Sequence, residues 1–348
     1  MDTYLDNNEI KKRFSWVGFC YFIFILVEIG SAFILGYTFK ALGITKLNNS
    51  WLTYIVGLAP IWAFGFPVCY LLLRKVPDAR PADAIMKPKY LVQFYFMLTF
   101  MMIGGSIFSN ILASVLKKTI GIIITNDTIE LIQKQQILPS ILFTVLLGPF
   151  LEELAFRKVL LDRLSCYSKK YAILLSGIMF GLIHTNLHQF FYAALIGFVF
   201  AYIYTITGKL RYSVILHSTV NFIHGILPMI IIKNLDMAKI QSLSGKDTSD
   251  PAVIQEMMKL YSDPFFILLL VYYLVLFGFI IAGIILFIIN HKKIKVNDKQ
   301  SPLQPPEAAK TAFLNVGMIL FFIISVGYSI YEIIKMNLVN FCSKNYMI

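Results

Sequence analysis

The sequence predicts an all-α fold: a polytopic transmembrane helical bundle of about eight or nine segments around an intramembrane cavity. Three observations carry that expectation. Of the 348 residues, 58% are hydrophobic and only 14% charged, with a mean hydropathy of +0.72, a balance outside that of soluble domains. Apolar runs long enough to cross about 30 Å of hydrocarbon recur along the chain. A few ionisable side chains nevertheless interrupt those runs, where each costs about 2.5 kcal/mol or more unless it is paired or lines a watery cavity.

The first run, residues 14–39, follows Lys11, Lys12 and Arg13. It is too long for the apolar core of a signal peptide and reads as a retained helix. Runs at 51–73 and 91–116 complete a set of N-terminal membrane helices within 1–136. The segment 137–163, apolar and then amphipathic, opens a core region spanning 137–232, continued by 171–184, 190–207 and 212–232. Residues 171–184 are the short member, because about 14 helical residues rise only about 21 Å. Runs at 264–290 and 312–335 fall in a C-terminal region, 233–348. That region also holds a polar connection without core periodicity at 233–263 and a flexible, Pro-containing linker at 292–310.

The net charge of +12 is placed for membrane topology, not for nucleic acid. Arg74, Lys75, Arg80, Lys87 and Lys89 cluster between two apolar runs, as do Lys292, Lys293, Lys295 and Lys299 between two others. Such an excess of Lys and Arg on alternate connections puts the N-terminus in the cytoplasm. The short basic connections suit a multi-pass protein of a bacterial plasma membrane, with membrane lipids as neighbours and no nucleic-acid partner. Cys20, Cys69, Cys166 and Cys342 are scattered, which argues against a thiolate metal site or a disulfide framework.

Three polar constellations lie in the core region. Glu153 and Arg157 in GPFLEELAFRKVLL are four apart with the acid first, the favourable order for a helical ion pair. Glu152 lies about 100° around the same helix and is left to face a cavity as a candidate general base. Pro149, three residues before it, is placed to kink the helix. Phe180 and His184 share a helix face, as do His217 and Asn221, with His224 a turn further on. An imidazole shuttles a proton or binds a metal; an amide donates to an oxyanion. Counting helical rise from the charged turn at 163–170 sets Glu152 and His184 at similar depths, whereas His217 comes out shallower.

The ordered set EExxxR, FxxxH and HxxxN on successive membrane helices resembles the CPBP family of intramembrane proteases. That family embraces CaaX prenyl endopeptidases and the bacteriocin-processing and immunity relatives called Abi proteins. The matching residues are Glu152, Glu153, Arg157, Phe180, His184, His217 and Asn221, within about residues 148–225. The resemblance implies hydrolysis of a peptide bond in a membrane-associated peptide or lipidated protein. Glu152 would activate water with help from His184. His217 and Asn221 would hold the water or the oxyanion, and Glu153 with Arg157 would support the site. A divalent metal such as zinc, on Glu152, His184 and His217, is one version of that chemistry; glutamate-activated water without metal is the other and the preferred one. The alternative to catalysis is a peptide-binding immunity or sensor-partner protein built on the same bundle.

Overall fold

The positions of the prolines shape the membrane helices before any tertiary contact forms. A proline has no N–H for the carbonyl four residues earlier, and its ring pushes that carbonyl aside. Three helices meet this by widening the preceding turn to π geometry: Pro60–Gly65 before Pro67, Ile141–Leu147 before Pro149, and Phe222–Ile226 before Pro228. In each case the displaced carbonyl belongs to the wide turn. A fourth wide turn, Leu154–Val159, has no proline after it and carries Arg157.

The computed structural model describes residues 6–44, 47, 49–124, 135–298, 301–303 and 307–345. These residues form twelve helices and no strand. Eight helices are long and apolar enough to cross a membrane. They are α1 (Asn7–Ala41), α2 (Ser50–Leu73), α3 (Pro88–Ile120), α4 (Ile137–Leu164), α6 (Leu187–Thr207), α7 (Leu210–Lys233), α10 (Pro264–Asn290) and α12 (Val316–Asn345). The expected short member is α5 (Lys169–Leu182), 14 residues long and outside that group.

Length does not keep α5 out of the core. Gly177 and Gly181 sit one turn apart on it and let α6 approach closely. A Cβ on Gly177 would lie 2.1 Å from the Phe198 ring, and one on Gly181 would lie 2.8 Å from the Phe190 carbonyl. Small residues at such spacing are how helices gain contact where lipid supplies no hydrophobic drive. The α6 helix is accordingly the most enclosed span, 61% of its apolar window being buried, against 6% for α10. At the far side α1 and α12 meet as closely, Gly317 packing on the Ser15 backbone and Gly18 on Met318.

Two connections are more ordered than their composition suggested. The polar stretch after α7 folds into α8 (Met237–Leu243) and α9 (Pro251–Tyr261). Asp236 accepts from the Lys239 N–H at 2.9 Å and Asp250 from the Ala252 N–H at 2.8 Å, both N-cap bonds. The described residues of the basic linker, 292–298 and 301–303, are pinned ahead of α11 (Glu307–Phe313), while 299, 300 and 304–306 lie outside the described residues. Asp298 accepts from the Ser168 hydroxyl at 2.5 Å and the Lys169 N–H at 2.8 Å, capping α5, and Leu303 is buried.

A third connection, residues 74–87, covers the turn between α6 and α7. The Ala84 N–H donates to the Thr207 carbonyl at 2.9 Å, and the Met86 N–H to the Tyr212 hydroxyl at 3.1 Å. Gly208, at φ 63°, lies so close beneath Ala82 that a Cβ would fall 1.8 Å from its carbonyl oxygen. The start of α7 is thus sunk below a layer of chain, and its residues lie deeper than their distance from Arg211 implied.

Candidate active site

The polar core is assembled on α4, α5, α6 and α7. Glu153 and Arg157 are both fully buried. Arg157 Nε donates to Glu153 Oε2 at 2.9 Å and Nη2 to Oε1 at 3.3 Å, a forked pair within one helix. Its third nitrogen, Nη1, donates to the Ser176 hydroxyl on α5 at 2.6 Å, and Ser176 donates onward to the Phe156 carbonyl at 2.7 Å. The guanidinium also lies over Phe180, 4.7 Å from the ring centre, and near Phe200 at 5.8 Å. A charge taken out of water is tolerable when its donors are satisfied and an opposite charge is fixed beside it, and both conditions hold here.

His217 joins this pair to Glu152. Its Nδ1 lies 3.1 Å from Glu153 Oε1, and its Nε2 lies 3.7 Å from Glu152 Oε2. Because a carboxylate accepts, Nδ1 carries the proton toward Glu153 and Nε2 is turned to Glu152. Glu153 therefore does more than brace Arg157: it fixes the tautomer and ring plane of His217, the work of an outer carboxylate behind a functional histidine. The ring is stacked on Phe200 at 5.1 Å and meets Phe180 edge-on at 5.7 Å. The depth expectation for His217 is corrected by this placement, and the sunken start of α7 is the reason.

Glu152 differs from its neighbour in surroundings. Its side chain is 25% exposed while that of Glu153 is sealed. Gly148, one turn earlier, is required by the Phe143 carbonyl of the wide turn, 2.8 Å from where a Cβ would stand. The kink expected at Pro149 takes the form of the wide turn before it.

His184, in the turn just after α5, meets the same cluster through Phe180. Its Nδ1 lies 2.8 Å from the Phe180 carbonyl, which only accepts, so Nδ1 is the protonated nitrogen and Nε2 keeps its lone pair. Phe180 touches both imidazoles, its ring centre 5.0 Å from that of His184. The next residue, Thr185, has φ 50°. A β-branched side chain in the left-handed region is strained by about 1–3 kcal/mol, and here the strain sits directly behind a candidate catalytic group.

Asn221 stands one turn beyond His217 on α7. Its amide nitrogen donates to the Thr144 carbonyl in the wide turn of α4 at 2.8 Å, which fixes the orientation of the amide and leaves one N–H. Sequence reasoning had not singled out Ser176, Phe200 or Thr144. The wide turn that presents Thr144 was signalled by Pro149; Ser176 and Phe200 carry no signal without the partner helices.

Among the described residues no three His, Cys, Asp or Glu side chains converge as a metal-holding group. His217 is committed at Nδ1 to Glu153 and His184 at Nδ1 to Phe180. Each bond leaves the Nε2 lone pair of its imidazole free, the arrangement of a histidine held from behind by an outer acceptor.

Residues 134–223 match the family model described as Rce1-like, the type II CAAX prenyl endopeptidases. The chain is also 33% identical over 98 residues to a protein of Bacillus subtilis (strain 168) named "Putative membrane peptidase YdiL". That alignment covers 27% of this chain and 39% of the relative, so the chain spans well under half the length of the protein it matches. No solved structure matches. Each match covers about a quarter of this chain, and both are consistent with the resemblance of its core to the CPBP family.

Proposed function

We propose that this chain is an intramembrane endopeptidase acting on a membrane-associated peptide or lipidated protein, with Glu152 as the general base. The observation that supports this most is the contrast of two carboxylates across one imidazole. Glu153 is sealed and neutralised by Arg157, whereas Glu152 is partly open and faces His217 Nε2 at 3.7 Å. In the proposed reaction Glu152 takes a proton from water as the water oxygen bonds to the peptide carbonyl carbon. The remaining N–H of Asn221 donates to the oxyanion, and His184 Nε2 helps to hold the water. The C–N bond then breaks, and the proton on Glu152 passes to the departing nitrogen. No step runs through a metal. A zinc version would need Glu152, His184 and His217 to converge.

In this reading the protein spans a bacterial plasma membrane with its N-terminus in the cytoplasm, as the Lys and Arg distribution favours. The test is hydrolysis of membrane peptides by the purified full chain in lipid. Glu152→Gln and His184→Ala are each expected to lower kcat/KM by about 10²-fold or more, the usual contribution of a general acid or base. Full activity in folded Glu152→Gln protein overturns the proposal and favours a peptide-binding role.

A further inference from the structure

A cavity of about 400 Å³ opens between α2, α3, α4, α6 and α7. Its wall includes Ser106, Ser140, Thr144, Tyr192, Asn221 and His224. Asn221 belongs both to this wall and to the HxxxN constellation, so the chamber begins where the candidate active site ends. Tyr192 lies within electrostatic reach of Glu152. From His217 to His224 the α7 helix rises about 10 Å, the span of about three extended residues.

The wall has a definite hydrogen-bonding character. Ser140 donates its hydroxyl proton to the Gln136 carbonyl, Thr144 to that of Ser140 and Ser106 to that of Met102, at 2.6–2.9 Å. Each proton is turned back onto its own helix, which leaves the Thr144 and Ser106 oxygens as acceptors; the Ser140 oxygen is buried and accepts from the Tyr54 hydroxyl at 3.0 Å. Beside them stand the second N–H of Asn221, His224 Nδ1 and the side-chain amide of Gln135, whose oxygen lies 2.9 Å from the Tyr54 hydroxyl. His224 Nε2 lies 3.4 Å from both the Tyr95 and Thr99 hydroxyls, and Nδ1 has no partner among the described residues. No Asp, Glu, Lys or Arg is among the described lining residues.

We infer that this chamber binds about three uncharged residues of an extended peptide on one side of the scissile bond, with His224 setting its selectivity. The inference rests on the proposed peptidase reading and deepens it. A peptide backbone carries one N–H and one carbonyl per residue, and both need partners away from water. The acceptor oxygens and His224 Nδ1 suit the N–H groups, since the Thr99 hydroxyl donates to the Tyr95 carbonyl and accepts from Nε2, and the second N–H of Asn221 suits a carbonyl. A wholly apolar isoprenyl chain would leave the second N–H of Asn221 and His224 Nδ1 unpaired. A free chain carboxylate would face acceptor oxygens with no cation beside it. The substrate class selected is an internal, uncharged membrane segment and not the extreme carboxyl terminus of a prenylated tail.

Binding and cleavage of one peptide series separate these outcomes. The probes are a quenched-fluorescent apolar peptide, the same peptide with a single Asp or Lys stepped along it, a version ending three residues past the scissile bond, and a farnesylated version. Binding is read by anisotropy on the wild-type chain and on Glu152→Gln, and cleavage on the wild type. A charge within three residues on one side is expected to weaken binding at least tenfold, and the same charge farther out to have little effect. His224→Phe is expected to weaken the uncharged peptide about threefold or more, with thermal stability monitored alongside. Tighter binding of the farnesylated or carboxyl-terminal version, or indifference to charge position, overturns the inference. Selective binding without cleavage by the wild type overturns the peptidase reading and leaves the chamber assignment standing.

Discussion

Two faces of α4, about 100° apart, hold adjacent glutamates in opposite conditions. The Glu153 face is dry: the carboxylate meets Arg157 and His217, Ser213 lies against it, and the arginine is held in turn by Ser176 and two aromatic rings. The Glu152 face is partly open, with His217 Nε2 as its near neighbour. Identical chemistry thus yields a sealed, paired acid on one face and a partly exposed acid on the other. The difference lies in the number of partners and in access, not in residue type.

The largest expected effect comes from breaking the dry face. Arg157→Met leaves a buried carboxylate unpaired and should destabilise the fold by about 3–5 kcal/mol, read as a lower midpoint in thermal or denaturant unfolding. Adding Glu153→Gln should recover part of that loss, because it removes the orphaned charge. If the double variant is no more stable than the single one, the pair is not the unit described here. The open face should respond in the other sense. Glu152→Gln should change stability by less than about 1 kcal/mol, as substitutions outside tight networks do, while activity falls as proposed above. A large loss of stability in that variant would erase the distinction between the two faces.

The smallest effect concerns the N-terminal cap of α5, the helix that leads into the turn of His184. Burial alone would raise the Asp298 carboxyl, but the Ser168 and Ser301 hydroxyls and the Lys169 and Lys170 N–H groups hold it below its ordinary value of 3.8. A group depressed in the folded state adds stability above its free pKa, and that stability is lost as pH falls through the folded value. Cleavage of residues 291–303 by an acid-active protease should therefore rise as pH drops below about 4. Asp298→Ala should make the same segment cleavable at neutral pH. Equal resistance of both proteins across that range would show that the cap does not hold the linker.

Much of this arrangement was legible in the chain. Polar residues inside hydrocarbon-length runs can be explained in few ways, so Glu153 with Arg157 declared itself from spacing alone, and Glu152 stood out by lacking such a partner. What spacing along one helix cannot express is the third dimension. His217 was placed too shallow because rise was counted from Arg211, whereas residues 74–87 bury that end of α7 under another layer. The shared use of His217 by both glutamates needs α4 and α7 side by side, and the aromatic seat of Arg157 needs α5 and α6. The caps at Asp236 and Asp250 carried ordinary N-terminal signals, outweighed in the reading by the polarity of their surroundings.

The proline-linked wide turns have a consequence for how such a helix tolerates change. A turn of π geometry takes up about one residue more than an α turn, which is about 100° of angular phase for everything after it. The Ile141–Leu147 turn thus acts as a vernier, and Pro149 locks its setting. Were that turn to tighten, Glu152 would swing to the bearing Glu153 now holds and Glu153 would pass on to that of Leu154, so the sealed seat would change occupants without a single side chain being altered.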